Sequence, residues 1–98
     1  MKRGQVMRIV ISYDISDDKR RRLIAKIMEG HGYRVQYSVF ECDLTEKQLR
    51  ALQKQLRRLV KAKEMDSIRF YPLPADAVEK IEVMGADYAR TLGIFSVV

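Results

Sequence analysis

The chain has little of several residue types on which common active sites depend. Its 98 residues include one cysteine, one histidine and no tryptophan. The single cysteine, Cys42, excludes an internal disulfide and any site built on paired cysteines, and it fits a reducing compartment. The single histidine, His31, excludes metal motifs such as H-E-x-x-H, and its place between two glycines is typical of a helix end. The sequence contains neither a glycine-rich phosphate loop nor a serine–histidine–aspartate arrangement.

Long apolar segments are absent as well. No apolar run approaches the roughly 18 to 20 residues that cross a bilayer. The apolar segment behind the basic start is interrupted by Arg8 and is too short for a secretory signal. We therefore expect a cytoplasmic protein with no membrane partner. The length suits a single domain over 1–98, with its core at about residues 7–84 and a C-terminal tail at 85–98.

Charge is distributed unevenly along the chain. The net charge is +6, yet residues 1–63 hold 16 Lys and Arg against 7 Asp and Glu, whereas residues 64–98 hold 3 against 6. A basic body of this kind indicates an anionic partner. Nucleic acid is favoured over a membrane surface because no amphipathic apolar anchor accompanies the charge. Ordinary solubility is the alternative explanation.

The hydrophobic pattern predicts several strands. They are expected at Met7–Tyr13, within Tyr33–Leu44, at Ser67–Leu73 and at Lys80–Met84. The second segment contains no glycine or proline, so it is either one bent strand or two short strands with a corner near Ser38. Pro72 cannot donate to a β-ladder, which favours a sheet edge for its strand.

Polar capping residues mark the start of two helices. Ser16 or Asp17 can cap the first helix, which ends at two glycines, Gly30 and Gly32, that suit a left-handed C-terminal cap. Thr45 opens the second helix in a capping box, and this helix is expected to end near Lys63. The apolar stripes of the two helices are Leu23, Ile24, Ile27 and Met28, and Leu49, Leu52, Leu56, Leu59 and Val60.

This order of elements predicts an α+β fold. It matches a ferredoxin-like β-α-β-β-α-β sandwich with an extra C-terminal strand, in which both helices cover one face of a mostly antiparallel sheet. A second copy of the chain is the simplest cover for the other face. The segment Lys80–Met84 is then available to pair with the sheet edge of the partner. We therefore expect a homodimer.

Asp14 is the strongest candidate for chemistry. It follows a buried strand and precedes a polar turn, a position where side chains are held rigidly and still face solvent. One carboxylate is a poor site for Mg²⁺, but a two-fold axis near the strand end would add the carboxylate of the partner. Such a pair could hold a metal that polarises a phosphodiester and activates water. The alternative is a turn residue whose carboxylate bonds backbone amides two or three residues on.

Basic residues form two groups. One opens the first helix at Lys19–Arg22, and the other lies along the second helix, opposite the leucine stripe, with Glu46 as the single acid. A stripe of one sign, about 20 Å long, favours a track for the phosphate backbone over a solvated helix face. The candidate nucleic-acid-binding residues are Arg20, Arg22, Arg50, Lys54, Arg57, Arg58 and Lys61.

Two segments together carry a family resemblance. Y-D-I-S-D-D-K-R-R-R at Tyr13–Arg22 and G-Y-R-V-Q-Y-S-V-F-E at Gly32–Glu41, in this order and spacing, resemble the CRISPR-associated protein two family. The resemblance extends from Met7 to Met84. This family is the small subunit of the spacer-acquisition machinery and is often described as a metal-dependent endoribonuclease.

The resemblance implies a ferredoxin-like homodimer whose last strand crosses to the partner sheet. It also implies a complex with the CRISPR integrase in which the dimer supports the DNA duplex to be inserted. By the same resemblance, Asp14 is the catalytic residue and a ligand of Mg²⁺ shared between the two copies. Tyr13 precedes it in the site, and Arg21, Arg34 and Phe40 lie beside it. Members of the family cleave RNA, cleave duplex DNA or lack nuclease activity.

We therefore expect a CRISPR adaptation subunit that binds nucleic acid with the integrase and acts as a Mg²⁺-dependent endonuclease, on RNA or on DNA. One alternative is a toxin-type ribonuclease of the same fold that meets no integrase. Others are a non-catalytic RNA-binding module and a small-metabolite regulatory domain. No strand carries the aromatic motif of the RNA-binding modules, and the basic helix disfavours a metabolite domain.

Overall fold

The computed structural model describes residues 4–87, which form a four-stranded antiparallel sheet with helices packed on one face. The strands are β1 (Met7–Asp14), β2 (Tyr33–Gln36), β3 (Val39–Leu44) and β4 (Ser67–Leu73). The helices are α1 (Asp18–Glu29), α2 (Glu46–Arg57) and α3 (Ala75–Glu79), with a 3₁₀ turn at Ala62–Glu64. The strand order β2-β3-β1-β4 is that of the ferredoxin-like fold, which confirms the prediction. Every helix within residues 4–87 is too short or too polar to span a bilayer.

The core lies between the sheet and the two longer helices. Ile9, Ile11 and Tyr13 of the central strand β1 face it, because successive side chains of a strand point to opposite faces. The other buried core side chains include Phe40, Cys42 and Leu44 of β3, Ile24 and Met28 of α1, and Leu52 and Leu56 of α2. Leu23, expected on the stripe of α1, is exposed instead, since it precedes Ile24 by about 100° of helix rotation.

Local capping signals predicted both helix starts correctly. The carboxylate of Asp17 accepts a hydrogen bond from the Arg20 amide at 2.9 Å. Thr45 and Gln48 form the reciprocal capping box, with N···O distances of 3.2 and 2.8 Å. The predicted end of the second helix near Lys63 is wrong, since α2 ends at Arg57.

After Arg57 the helical hydrogen bonds give way to a turn, in which the Leu59 amide donates to the Leu56 carbonyl at 2.9 Å. The Lys61 amide then donates to the Asp66 carboxylate at 3.0 Å, so it does not extend the helix. The chain then makes the 3₁₀ turn and passes through Met65, whose φ of 65° is left-handed.

The glycines after α1 act differently from the prediction. Gly30 has a φ of −76°, and the described glycines with positive φ are Gly4 and Gly85. Gly32 is required by close approach to β3, because a Cβ at this position would collide with the Glu41 carbonyl oxygen and lie 2.9 Å from the Cα of Cys42.

The two remaining strand predictions had different outcomes. Tyr33–Leu44 is a hairpin of two short strands with its turn at Tyr37–Ser38, as the alternative with a corner predicted. Lys80–Met84 is not a strand in the described chain, since it pairs with none of the four strands within residues 4–87. Its pairing with a partner stays a prediction, and most of the expected tail, from residue 88 onward, lies outside the described residues.

Candidate functional site

Asp14 occupies the end of the central strand. It is the last residue of β1 and lies opposite Ser67 in the register of β1 with β4. Strand alternation puts its side chain on the face away from Tyr13, which is the face that the helices leave open. Pairing of β1 with β3 on one side and β4 on the other holds the backbone of this strand in place.

The Asp14 carboxylate is exposed and makes no hydrogen bond or ion pair within residues 4–87, whereas its acidic neighbours are engaged. Asp17 bonds the Arg20 amide, and Asp18 pairs with the Arg21 guanidinium. The amide two residues after Asp14 donates to Asp66 at 3.0 Å. The turn-residue explanation of Asp14 is therefore wrong, and its carboxylate is open to a ligand.

Asp66 holds the loop that follows Asp14. This acid is 6% exposed and lies directly before β4. Its Oδ1 accepts from the amide of Ser16 at 3.0 Å and from the Ser16 hydroxyl at 3.2 Å. Its Oδ2 accepts from Arg20 Nη2 at 2.9 Å and Nε at 3.2 Å, and from the Lys61 amide. These hydrogen bonds lower the pKa of Asp66 to about 2, and the bond from the Ser16 amide has the largest effect on that pKa.

The sequence contained no local signal for this arrangement. Asp66 lies 50 residues from Ser16 and 46 from Arg20 along the chain, so no spacing pattern relates them. Lys61, its partner nearest in sequence, is bonded through the backbone amide, which any residue other than proline carries.

The arginines at the start of α1 have three different environments. Arg20 was predicted to contact nucleic acid, but its side chain is 12% exposed and its guanidinium is held by Asp66, with Glu64 at 3.4 Å. Arg21 Nη1 donates to the carbonyl of Ile15, the residue after Asp14, at 3.0 Å. Arg22 is exposed, and its contact with nucleic acid stays a prediction.

Two aromatic residues that the resemblance assigned to the site lie in the core. Tyr13 is 6% exposed and Phe40 is completely buried, and their ring centroids are 6.2 Å apart. Arg34 lies over the Phe40 ring at 5.2 Å and 3.7 Å from Glu29. Burial raises the pKa of the Tyr13 phenol above its ordinary value. Tyr13 and Phe40 therefore support the strand end by packing and do not offer a surface to a ligand.

The basic side chains of α2 are exposed as predicted. Arg50, Lys54 and Arg57 recur at intervals of about one helical turn on a helix of 12 residues, about 18 Å long. Arg58 is the C-cap residue and Lys61 lies beyond the helix, and both are exposed. The basic track, defined here as Arg50, Lys54, Arg57, Arg58 and Lys61, therefore continues from α2 into the turn that follows it.

Residues 4–87 of one chain present an open carboxylate at Asp14 without a complete set of metal ligands. No group of three or more His, Cys, Asp or Glu side chains able to hold an ion occurs between residues 4 and 87. An open carboxylate fits Mg²⁺, which often binds one or two protein carboxylates and completes its shell with waters and phosphate oxygens. The donor set of Asp14 is therefore compatible with half of a magnesium site.

The fold agrees with comparisons to known proteins. A sequence model of the family described as CRISPR associated protein Cas2 matches residues 7–81. This chain belongs to the Cas2 family. It is 53% identical over 76 residues to CRISPR-associated endoribonuclease Cas2 1 of Chloroflexus aurantiacus, covering 78% of this chain and 82% of that protein.

Solved structures of Cas2 proteins have the same fold. Streptococcus pyogenes Cas2 at pH 6.5 matches with a TM-score of 0.71 and 34% identity, covering 81% of this chain and all of that one. A chain of a partial Cas6-RT-Cas1–Cas2 complex matches with a TM-score of 0.69 and 30% identity, covering 80% of this chain and 90% of that chain. The family and fold expected from the sequence are therefore confirmed.

Proposed function

We propose that this Cas2-family chain is a subunit of the CRISPR spacer-acquisition machinery, which binds nucleic acid as a homodimer together with the integrase. Family membership supports the role, and the similarity to a chain of a Cas1-containing complex supports the integrase as partner. The exposed basic track supports contact with a phosphate backbone. The sheet face that no helix covers supports a second copy as its cover.

We further propose that the dimer is a Mg²⁺-dependent endonuclease centred on the two Asp14 carboxylates. One observation carries this proposal. The Asp14 carboxylate is open at the end of the central strand, while Asp17, Asp18 and Asp66 around it are all engaged in holding the fold. The name endoribonuclease, carried by similar proteins, supports a phosphodiester as the substrate class.

The residues around Asp14 would divide the work. A bound Mg²⁺ would polarise the phosphodiester and make a coordinated water more acidic. Asp14 would hold the ion, at a backbone position secured by two strand pairings and by the bonds of Asp66 to the following loop. Arg21, held at the Ile15 carbonyl, would place positive charge beside this loop for a non-bridging phosphate oxygen.

The substitution Asp14→Asn tests the catalytic assignment, because it keeps the shape of the side chain and removes its charge. We expect Mg²⁺-dependent cleavage of single-stranded RNA or duplex DNA to fall by about 100-fold or more, the scale on which loss of a charge-stabilising group acts in active sites. The dimer and its affinity for nucleic acid should be unchanged. Cleavage is measured on labelled oligonucleotides across a Mg²⁺ titration.

Asp76→Asn is the matched control. Asp76 is an exposed acid in the first turn of α3, so its substitution removes the same charge away from the β1 strand end. It should cleave as the wild type does. Undiminished cleavage by the Asp14→Asn protein would remove Asp14 from the mechanism.

A further inference from the structure

Tyr37 is an aromatic side chain whose exposure the fold does not explain. It is 72% exposed in the turn between β2 and β3, against 44% for Tyr71 on β4. Burying an aromatic ring of this size stabilises a protein by about 1.5 to 3 kcal/mol. The Tyr37 ring does not gain this stabilisation within residues 4–87, and a ligand that covers the ring would provide it.

The position of Tyr37 is fixed by the residue that precedes Asp14. The Tyr13 hydroxyl donates to the Tyr37 carbonyl at 3.4 Å, and the Tyr13 amide donates to the Ser38 carbonyl at 3.0 Å. Both residues of the turn are thus tied to the end of β1. The backbone that carries the ring is therefore in place before a ligand arrives, which lowers the conformational entropy that binding would cost.

A cation accompanies this ring. Asp18 has the largest effect in raising the pKa of the Arg21 guanidinium, through a hydrogen bond, and the phenol of Tyr37 also raises it from close by. Arg21 in turn bonds the carbonyl that follows Asp14. The exposed ring and the guanidinium therefore belong to residues that are hydrogen-bonded to Tyr13 and Ile15, the two neighbours of Asp14 in the chain.

We propose that Tyr37 is a specificity-determining residue that stacks on the base of an unpaired nucleotide next to the phosphodiester presented to Asp14. Base–aromatic stacking contributes about 1 to 3 kcal/mol per base, and it needs a free base face. Bases within a duplex are stacked on each other and cannot offer one. Arg21 would bind the adjoining phosphate. This inference rests on the proposed nuclease function of Asp14.

The test compares Tyr37→Ala with Tyr37→Phe in the full-length dimer. The substrates are a single-stranded oligonucleotide and a set of the same strand in which one abasic site is placed at each position around the cut in turn. With the intact strand, Tyr37→Ala should raise KM about 10-fold with little change in kcat. Tyr37→Phe should restore the wild-type KM because the phenyl ring keeps its stacking face. With the abasic site at the stacking position, wild type and Tyr37→Ala should have equal KM values.

Tyr71→Ala is the control, since it removes another exposed tyrosine ring, on β4. It should leave the discrimination between intact and abasic strands unchanged. An equal rise in KM for Tyr37→Ala on the intact and abasic strands would overturn the proposal, as would an unchanged KM on the intact strand. Dissociation of the Tyr37→Ala dimer in light scattering would also overturn it, because the ring would then belong to the subunit interface.

A binding measurement separates this inference from the nuclease proposal. Asp14→Asn protein, with and without Tyr37→Ala, is titrated with the intact and abasic strands and followed by fluorescence anisotropy. A tenfold preference for the intact strand that disappears with Tyr37→Ala would support stacking even if the wild type cleaves nothing. Equal affinities in all four titrations would contradict stacking, whatever the cleavage assay shows.

Discussion

Three aspartates stand close together after the first strand, and their surroundings give them different roles. Asp17 bonds the Arg20 amide at 2.9 Å and so starts α1. Asp18 pairs with Arg21 in the first turn of the same helix. Asp14 has neither kind of partner within residues 4–87 and stays exposed. The three side chains are chemically identical, so their hydrogen bonds alone distinguish the candidate metal ligand from the helix-forming residues.

Gly32 is another residue whose role depends on the atoms around it, and its substitution tests this at the scale of a single residue. In Gly32→Ala the new Cβ would collide with the Glu41 carbonyl oxygen and with Cys42, where backbone atoms cannot move aside. We expect a loss of about 1 to 3 kcal/mol in the free energy of unfolding, as for other overpacked sites. Urea unfolding followed by circular dichroism measures it.

Gly30→Ala is the comparison, because its nearest neighbour would be the Ile27 carbonyl oxygen at 3.3 Å in ordinary helical geometry. It should cost much less than Gly32→Ala. Equal stability of the two variants would show that the approach of β3 to Gly32 is not as close as described.

At the scale of elements, Asp66 connects parts of the chain that the sheet alone does not. Its carboxylate bonds Ser16 in the loop after β1, Arg20 on α1 and Lys61 after α2. It also lies next to Ser67, the register partner of Asp14. The geometry of the candidate site therefore depends on a buried residue whose hydrogen bonds hold the loop that follows Asp14.

Asp66→Asn should destabilise the chain, because an amide presents a donor where Arg20 and the Lys61 amide need an acceptor. We expect the midpoint of thermal unfolding at pH 7 to fall by about 10 °C or more, as for other broken buried pairs in small domains. Asp18→Asn, which alters an exposed pair of α1, should change it far less.

The pH dependence of this difference follows from the lowered pKa of Asp66. The folded value of about 2 lies below the ordinary aspartate value of about 3.9, so the ionised form stabilises the folded chain fully above about pH 4. That stability is lost as the pH falls from about 4 towards 2. The gap between wild type and Asp66→Asn should narrow over this range. A constant gap would contradict the assigned hydrogen bonds.

At the scale of the whole molecule, the basic track and the candidate metal ligand lie on different sides of the sheet. The basic track lies on α2, on the helical side of the sheet, whereas Asp14 belongs to the open face. We therefore expect the proposed binding of a nucleic-acid backbone and the proposed cleavage to be separable by mutation. The open face also carries Arg8, buried in ion pairs with Glu41 at 2.8 Å and Asp43 at 2.6 Å.

Reversing charge on the basic track should weaken nucleic-acid binding for every sequence alike. For Arg50→Glu, Lys54→Glu and Arg57→Glu combined, we expect affinity for duplex DNA to fall and the slope of log K against log salt to decrease by about 0.9 per lost phosphate contact. Anisotropy titrations at several salt concentrations measure both. A triple variant of equal charge, Lys26→Glu, Lys63→Glu and Lys80→Glu, is the control, and an equal effect there would favour net charge over a track.

The proposed dimer brings two copies of Asp14 near a two-fold axis. Two carboxylates that share one Mg²⁺ lie about 4 Å apart, since each ligates at about 2 Å. Asp14→Cys protein should therefore be joined into a covalent dimer by a short bis-maleimide, as seen on a denaturing gel. The wild type should not react, because Cys42 is fully buried and burial raises the pKa of its thiol to about 11. Asp76→Cys is the control, and equal crosslinking there would contradict a shared site.

The sequence by itself determined the features that depend on neighbours along the chain. The caps at Asp17 and Thr45 join residues three positions apart, so their patterns were readable. Alternation identified β1 and with it the position of Asp14 at a strand end. The segments Tyr13–Arg22 and Gly32–Glu41 were enough to identify the family, which the match over residues 7–81 confirmed.

The tertiary structure alone decided what depends on residues far apart in sequence. It showed that Arg20 is held by an aspartate 46 positions away, that Phe40 is buried, and that Asp66 binds the Lys61 amide after the end of α2. Local patterns cannot determine such contacts, because the energy of a buried carboxylate depends on which donors the fold brings to it. For the same reason the open carboxylate of Asp14 became evident only when the bonds of its acidic neighbours were known.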